Sequence, residues 1–467
     1  MATSCFDPNS FIYSSPRGPI HIPPDPDMFH NHIRSVARGL SSLGVRQHDV
    51  VLILSPNSVY FPVLFFAVIS LGAVVTTVNP LCTPGEILKQ IKDSKSKLVF
   101  TVPELAGKVE NTALPVIYID DCEPKSNPDF NQERHLKLLS EVIKMNFDPD
   151  FHQETDLTFL CIIPMFHVFG LSIVVYGQLL RGNTLITMPK FDFTLMLESI
   201  QKYRITNLPL VPPIMIALAK QDAVLRYDLS SVIEMVSGAA PVGKETLEEV
   251  YQRLKVPDLR QGYGMTETTG IVSVAILKTD KKNYATVGPL VSGMEAVVVD
   301  PSSGRRLPPN KQGELWVRGP NIMQSYLNNP EATALTLDGD GWLHTGDLGY
   351  IDDEGNLYIM DRLKELIKYK GLQVAPAELE ALLLTHSEIV DAAVVPLPDN
   401  DAGEVPLAYV VRASGSSLSE QDVIRFVAAQ VAPYKKVRGV KFIEAIPKSS
   451  AGKILRRELT QKLPSKL

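Results

Sequence analysis

No residue between Asp49 and Glu86 is charged, and the apolar run over residues 60–78 is long enough to suggest a membrane span. The punctuation inside it favours a buried helix followed by a buried strand. Asn57 and Ser58 stand where a helix cap is needed, residues 61–71 can form the helix, and Gly72 can stop it. Residues 73–78 are short and β-branched, which suits a buried parallel strand. Residues 97–102 and 115–119 read as further buried strands. In residues 244–254, Leu247, Val250, Tyr251 and Leu254 recur at i, i+3, i+4 and i+7, the spacing of an amphipathic helix. Strand–helix alternation of this kind predicts parallel sheets with helices on both faces.

From about Gly288 the pattern changes to short strands separated by Gly, Pro and Asp turns. Residues 295–300, 313–318 and 356–361 predict a small antiparallel unit. Beyond Asp361 the chain becomes charged and compact, with helices expected over 376–386 and 419–431. Ser417-Leu418-Ser419-Glu420 spells a capping box before the second. The expected fold is therefore α/β. A large N-terminal domain (residues 1–360) holds two parallel α/β subdomains and the antiparallel β unit. A small mobile α+β C-terminal domain (residues 361–467) is hinged near Asp361.

Composition narrows the function classes. The chain has 467 residues, 45% of them hydrophobic and 21% charged, which excludes a disordered chain. Lys and Arg number 46 against 52 Asp and Glu, a net charge of −6 with no basic stripe, so a nucleic-acid partner is not expected. Cys5, Cys82, Cys122 and Cys161 lie too far apart for a metal knuckle or a disulfide framework, which points to a reducing compartment. The N-terminus lacks a basic segment followed by an apolar one, so secretion is not expected either. Ser465-Lys466-Leu467 spells the address read by the peroxisomal import receptor. A frayed tail could spell it by chance, but its place in the chain favours the signal.

Several polar clusters fall where apolar pattern gives way to glycine. Ser237-Gly238-Ala239-Ala240-Pro241 follows an apolar run, and Gln261-Gly262-Tyr263-Gly264-Met265-Thr266-Glu267 follows a helix and a short strand. Small residues let a flat ring or a phosphate approach the backbone, Tyr263 can stack on the ring, and Thr266 can donate to a phosphate oxygen. Glu267 is a candidate ligand for the Mg²⁺ that accompanies nucleotide phosphates. Each segment alone is more often an ordinary turn. The third cluster is residues 341–347 with residues 361–371, whose cations would usually form a solvated hairpin edge. The fourth is Pro447-Lys448-Ser449-Ser450-Ala451-Gly452-Lys453. It is not a phosphate-binding P-loop: the first glycine is missing and Ile454 replaces the needed hydroxyl.

In this order, the clusters resemble the adenylate-forming acyl-CoA synthetase superfamily, and within it the plant 4-coumarate–CoA ligase-like enzymes of the peroxisomal branch. The most specific segments are Gln261 to Glu267, Trp342-Leu343-His344-Thr345-Gly346-Asp347 and Asp361 to Gly371. The resemblance implies an acid–thiol ligase that forms an acyl-adenylate from ATP and a carboxylic acid, then an acyl-CoA. By the same resemblance Ala239, Gln261, Gly262 and Tyr263 flank adenine, Thr266 contacts the α-phosphate, Asp347 takes the ribose hydroxyls and Arg362 reaches the ribose–phosphate region. Lys453 matches the lysine that neutralises charge during adenylation. Lys364 and Lys368 match AMP contacts of the thioester-forming conformation, and Lys190, Lys370 and Gly371 match CoA contacts. His167 matches the histidine beside the acyl carboxylate; read alone it is a satisfied loop histidine. Phe169, Ile173 and Val274 would line the acyl pocket. Their apolar character points to fatty or jasmonate-precursor acids rather than hydroxycinnamates, for which relatives offer a tyrosine and a serine where Phe169 and Ile173 stand. A luciferase-like oxygenation on the same scaffold has no residue speaking for it.

One family signature is absent. A Ser/Thr/Gly-rich loop ending in Lys-Gly should precede Pro164-Met165-Phe166-His167, yet residues 145–159 contain no glycine, no lysine and four acids. A smaller shortening falls near residues 28–32. Removing one preorganised oxyanion donor costs about 10²–10³ in rate. The alternative reading is therefore a shortened, catalytically impaired isoform that keeps AMP or CoA binding or partners a full-length ligase.

Overall fold

The computed structural model describes residues 26–119, 157–275, 283–370, 372–399, 401–449 and 452–461. Helix α1 (Pro26–Ser42) leads into a four-stranded parallel sheet in the order β2-β1-β3-β4. Its strands are β1 (Val50–Leu54), β2 (Val74–Val78), β3 (Ser96–Thr101) and β4 (Val116–Tyr118). Helices α2 (Tyr60–Ser70) and α3 (Pro84–Ser94) are the crossovers. Central β1 is fully buried, as an apolar strand inside a parallel sheet must be.

The uncharged run is thus the expected helix–strand pair, and among the described residues no helix is long and apolar enough to cross a membrane. Two details differ. Asn57 does not cap α2: it is buried and its amide bridges Ile163 O (3.0 Å) and Met165 N (2.7 Å), pinning the segment before His167. Strand β2 lies at the sheet edge and is mostly half-buried, because only one neighbour covers it.

A second sheet has the order β10-β9-β8-β7-β5-β6, parallel except for the short β10. It comprises β5 (Thr158–Cys161), β6 (Thr184–Thr187), β7 (Asn207–Leu210), β8 (Glu234–Ser237), β9 (Asp258–Tyr263) and β10 (Ser273–Val274). Between β5 and β6 a π-helical stretch Phe169–Tyr176 runs into α4 (Gly177–Leu180). Helices α5 (Phe193–Tyr203), α6 (Pro212–Lys220) and α7 (Lys244–Leu254) follow β6, β7 and β8. One apolar core runs from Ile33 through Val51, Leu160 and Leu208 to Leu259, so the two parallel sheets are cemented together.

The antiparallel unit is β11 (Glu295–Val299), β12 (Gly313–Arg318), β13 (Leu343–Ile351) and β14 (Leu357–Arg362), paired in that order. The sequence pattern identifies three of these strands and misses β13, whose glycines and Asp347 read as a polar loop. A small helix, α8 (Pro330–Thr336), precedes it.

Beyond Arg362 a further sheet, β16-β15-β18-β17 with β19 beside β18, has its own core around Leu379, Val394, Val410 and Val423. It contains β15 (Ile367–Tyr369), β16 (Leu372–Val374), β17 (Ile389–Asp399), β18 (Gly403–Arg412) and β19 (Gly439–Phe442). Helices α9 (Pro376–Leu384), α10 (Glu420–Ala428) and α11 (Arg456–Gln461) accompany it. The capping box of α10 is Ser419 with Asp422, two residues later than Ser417–Glu420, because Ser419 is the residue that remains extended (φ −90°, ψ 162°) at the helix start.

Candidate active site

A cavity of about 1480 Å³ opens between the β8–β10 edge of the second sheet and residues that follow Arg362. One wall is built by strand ends. Strand β8 ends at Ser237, and the turn that follows presents Gly238 and Ala239, the latter left-handed at φ 69°. Strand β9 delivers Gly262 and Tyr263, and Gly264 continues the wall. Gly264 has no room for a side chain: a Cβ there would lie 2.0 Å from Gly270 O. Thr266 and Glu267 stand in the short helical turn Thr266–Thr268 and also line the cavity.

Gln261 does not line it. Its buried amide donates to Tyr284 O (2.7 Å) and accepts from Val242 N (3.2 Å), so the side chain braces the wall from behind. The motif spacing could not separate these two uses of a glutamine.

Tyr263 lines the cavity, whereas Asp347, expected to reach the ribose, is not among the lining residues and is buried against Tyr263. The Tyr263 hydroxyl donates to Asp347 Oδ2 at 2.5 Å, and Arg362 Nε lies 3.4 Å from Asp347 Oδ1. Asp347 is 5% exposed, and burial raises its carboxyl above the usual range, opposed by the Tyr263 hydrogen bond and the charges of Arg362 and Lys453. Burial and that same carboxylate push the Tyr263 hydroxyl well up, so it stays a donor. Lys453 lines the cavity beside Arg362; burial lowers its ammonium below the ordinary lysine value, and the Arg362 charge adds to the effect. Lys364 also lines the cavity.

His167 sits where the chain leaves β5. Phe169 N donates to its Nδ1 (3.2 Å), so the neutral ring carries its proton on Nε2. Burial lowers the ring's pKa and keeps it neutral at pH 7. Phe169, Ile173 and Val274 add apolar lining to the same cavity.

Other expected residues lie elsewhere. Lys190 is exposed on a bend, and Lys368 and Lys370 are exposed on the β15–β16 hairpin; none lines the cavity. Gly371 and the tripeptide Ser465-Lys466-Leu467 fall outside the described residues, as do residues 145–156 of the shortened loop.

Two residues were not anticipated. Tyr326 donates its hydroxyl to Glu267 Oε1 (2.8 Å) and fixes that carboxylate at the cavity wall. Arg456, which lines the cavity as Lys453 does, is tied to Glu365 (2.7 Å) and to Glu380. Their only sequence signal is proximity to the glycine–lysine motif (Arg456) or to a Gln-Ser-Tyr turn (Tyr326). Among the described residues no group of three or more His, Cys, Asp or Glu could hold a metal by itself. Glu267 alone suits Mg²⁺, which takes one or two carboxylates and completes its shell with phosphate oxygens and water.

The chain is similar to known proteins along most of its length. Residues 28–134 and 131–327 match the family described as AMP-binding enzyme, and residues 378–453 match the AMP-binding enzyme C-terminal domain. Probable CoA ligase CCL5 of Humulus lupulus is 46% identical over 483 residues, covering 93% of this chain and 87% of that protein. Peroxisomal OPC-8:0-CoA ligase 1 of Arabidopsis thaliana is 44% identical, covering 91% of this chain and 86% of that protein. Among solved structures, ATP-bound MatB from Rhodopseudomonas palustris superposes with a TM-score of 0.82 at 26% identity over 93% of this chain and 92% of that one. The 483-position alignment is longer than this 467-residue chain, so that relative carries residues opposite gaps here. The two pieces of the first family match meet at residues 131–134, upstream of the stretch 145–159.

Proposed function

The chain belongs to the AMP-binding enzyme family, and from that premise we propose that it is an ATP-dependent carboxylic acid–CoA ligase acting on a hydrophobic acid. The carboxylate attacks the α-phosphorus of ATP, the bond to pyrophosphate breaks, and an acyl-adenylate forms. The CoA thiol, after losing its proton, then attacks the acyl carbonyl and AMP departs. The observation that carries this reading is the meeting of Tyr263, Arg362 and Lys453 at one glycine-walled cavity, with buried Asp347 bonded to Tyr263 and close to Arg362.

Each residue has a physical task. Ala239, Gly262 and Tyr263 offer a flat surface for adenine, and Asp347 accepts from the ribose hydroxyls. Thr266 donates to the α-phosphate. Bringing an anion onto a polyanion requires fixed cations, and Lys453 and Arg362 supply them without reorganisation. Mg²⁺, held by Glu267 and the phosphates, would offset further charge on the triphosphate. His167, neutral at pH 7, can donate from Nε2 to the acyl carboxylate without burying a further charge. Lys364 and Lys368 are assigned to AMP, and Lys190, Lys370 and Gly371 to CoA, in a second arrangement of residues 361–467 against residues 1–360. The apolar lining from Phe169, Ile173 and Val274 favours fatty or cyclopentanone-type acids over hydroxycinnamates, and the named activity of the Arabidopsis relative supports that preference.

The same relative's name and the Ser465-Lys466-Leu467 tripeptide support a peroxisomal site of action through the import receptor. A reporter fused ahead of residue 1 should enter peroxisomes, and deletion of Leu467 should leave it in the cytosol.

A non-catalytic form is not favoured, because the relatives are ligases and the cavity keeps its cations. Purified protein given ATP, Mg²⁺, CoA and a panel of fatty, cyclopentanone and hydroxycinnamic acids tests the proposal. AMP and thioester appearing together with at least one acid is the expected result. Their absence with every acid, with AMP bound as tightly as ATP, would establish the non-catalytic form.

A further inference from the structure

Lys453 reaches the cavity from a short loop closed by its own hydrogen bonds, including Lys453 N to Ser449 Oγ (3.1 Å). Ser449 N donates to Lys453 O (2.7 Å), Gly452 N to Ser449 O (2.8 Å) and Leu455 N to Pro447 O (2.9 Å). The base of the loop is held by Lys448, whose Nζ lies 2.5 Å from Asp391 Oδ2 on β17. The tip presses on helix α6 of the parallel sheet: Gly452 is left-handed at φ 79°, and a Cβ there would lie 3.2 Å from Pro213 Cδ and 3.3 Å from Val211 Cβ. The start of α6 therefore touches the lysine loop directly.

The other end of α6 reaches the loop's base. Lys220, its last residue, donates from Nζ to Leu384 O (2.8 Å) and Ile389 O (2.7 Å). Leu384 ends α9 and Ile389 begins β17, two residues before Asp391. The carbonyls at a helix C-terminus lack intrahelical partners and carry the negative end of its dipole, so a half-buried ammonium is well matched to them. Lys220 cannot easily drift, because Arg253 of α7 donates to the carbonyls on either side of it, Ala219 (2.5 Å) and Gln221 (2.9 Å). Burial lowers the Lys220 ammonium below the ordinary lysine range while Glu249 and Asp391 hold it charged.

We propose that Lys220 is a positioning residue for adenylation: it clamps residues 384–391 to helix α6 and thereby keeps Lys453 in the cavity. It touches no substrate. The inference rests on the ligase reading for its catalytic consequence, though the clamp itself does not depend on it.

The test is Lys220→Met, which keeps the apolar stem and removes the charge, beside Lys220→Arg. Hydrogen exchange is followed at the amides of residues 452–455 in substrate-free protein. In parallel, acid-dependent pyrophosphate release and the transfer of a supplied acyl-adenylate to CoA are timed separately. Lys220→Met should speed exchange at 452–455 about tenfold and slow pyrophosphate release about tenfold. Transfer from supplied acyl-adenylate should stay within about twofold, and Lys220→Arg should recover most of the protection. Unchanged exchange at 452–455 would overturn the proposal, as would equal slowing of both half-reactions or faster exchange throughout the chain. A wild-type protein that releases no pyrophosphate would refute the ligase reading, while the exchange data would still decide the clamp.

Discussion

The cavity wall built from residues 236–274 and the wall built from residues beyond 361 face the same space with different chemistry. The first is mostly backbone and apolar surface: Gly238, Ala239, Gly262 and Gly264 lie at strand ends, and Gly264 has no room even for a methyl group. The second carries most of the charge, with Arg362, Lys364, Glu365, Lys453 and Arg456 beside the uncharged Pro396, Ile454, Leu455 and Thr460. In the first wall Tyr263, Met265, Ile271 and Val274 pack in the core shared with the antiparallel unit, whereas most of the second wall adjoins a sheet with its own core. Substitutions in the first should alter folding and substrate choice. Substitutions in the second should alter rate and the docking of residues 361–461.

The largest expected effect is in the first wall. Gly264→Ala drives a Cβ into Gly270 O and Ile271 Cα, both backbone atoms that cannot step aside. Thermal unfolding should show a loss of about 3 kcal/mol or more. A normal melting temperature would mean the wall is looser than the close approach implies.

Asp361 marks the start of the charged wall and gives the next largest effect. It accepts from Ala377 N (2.9 Å) at the start of α9 and from Arg362 N (2.7 Å), yet burial raises its carboxyl to about 6. Because the folded-state value is raised, its stabilising contribution is present below about pH 4 and is lost as pH climbs through about 6. Asp361→Asn should therefore gain stability relative to wild type between pH 4 and 7, by no more than ~3 kcal/mol. Parallel melting curves at every pH would contradict it.

Smaller again is the effect on substrate choice. Val274→Phe should lower kcat/KM for bulky acids about 10–100-fold relative to small ones. An equal loss for all acids would move the acyl pocket away from Val274. The smallest effect expected is at His167. Since burial depresses its pKa, the ring stays neutral until the pH falls below the ordinary histidine value. The rate of adenylation should drop severalfold only at pH below the ordinary histidine range, and His167→Gln should flatten that acid limb.

The architecture was legible in the sequence where apolar periodicity was strong: β2, β3, α7 and α9 fall where expected. Strand β13 was not, because a central strand that carries Asp347 and two glycines breaks the alternation that marks strands. The α10 cap was misplaced by two residues because two serines compete for it, and only backbone geometry decides between them. For the site, motif order pointed to Tyr263, Arg362 and Lys453, which line one cavity, and to Asp347, which is buried against Tyr263. It could not tell that Gln261 faces the scaffold, since a buried amide and a ligand-binding amide have the same letter. Lys220 left no trace at all: a lysine at a helix end reads as ordinary dipole compensation, and its partners are 164 and 169 residues away.

The division of labour between the walls is tested most directly by Lys453→Ala, with the two half-reactions measured apart. Acid-dependent ATP–pyrophosphate exchange should fall about 10²–10³-fold, because a preorganised cation is removed from the developing charge. Transfer of supplied acyl-adenylate to CoA should change little. Equal loss in both half-reactions, or none in the first, would contradict the account.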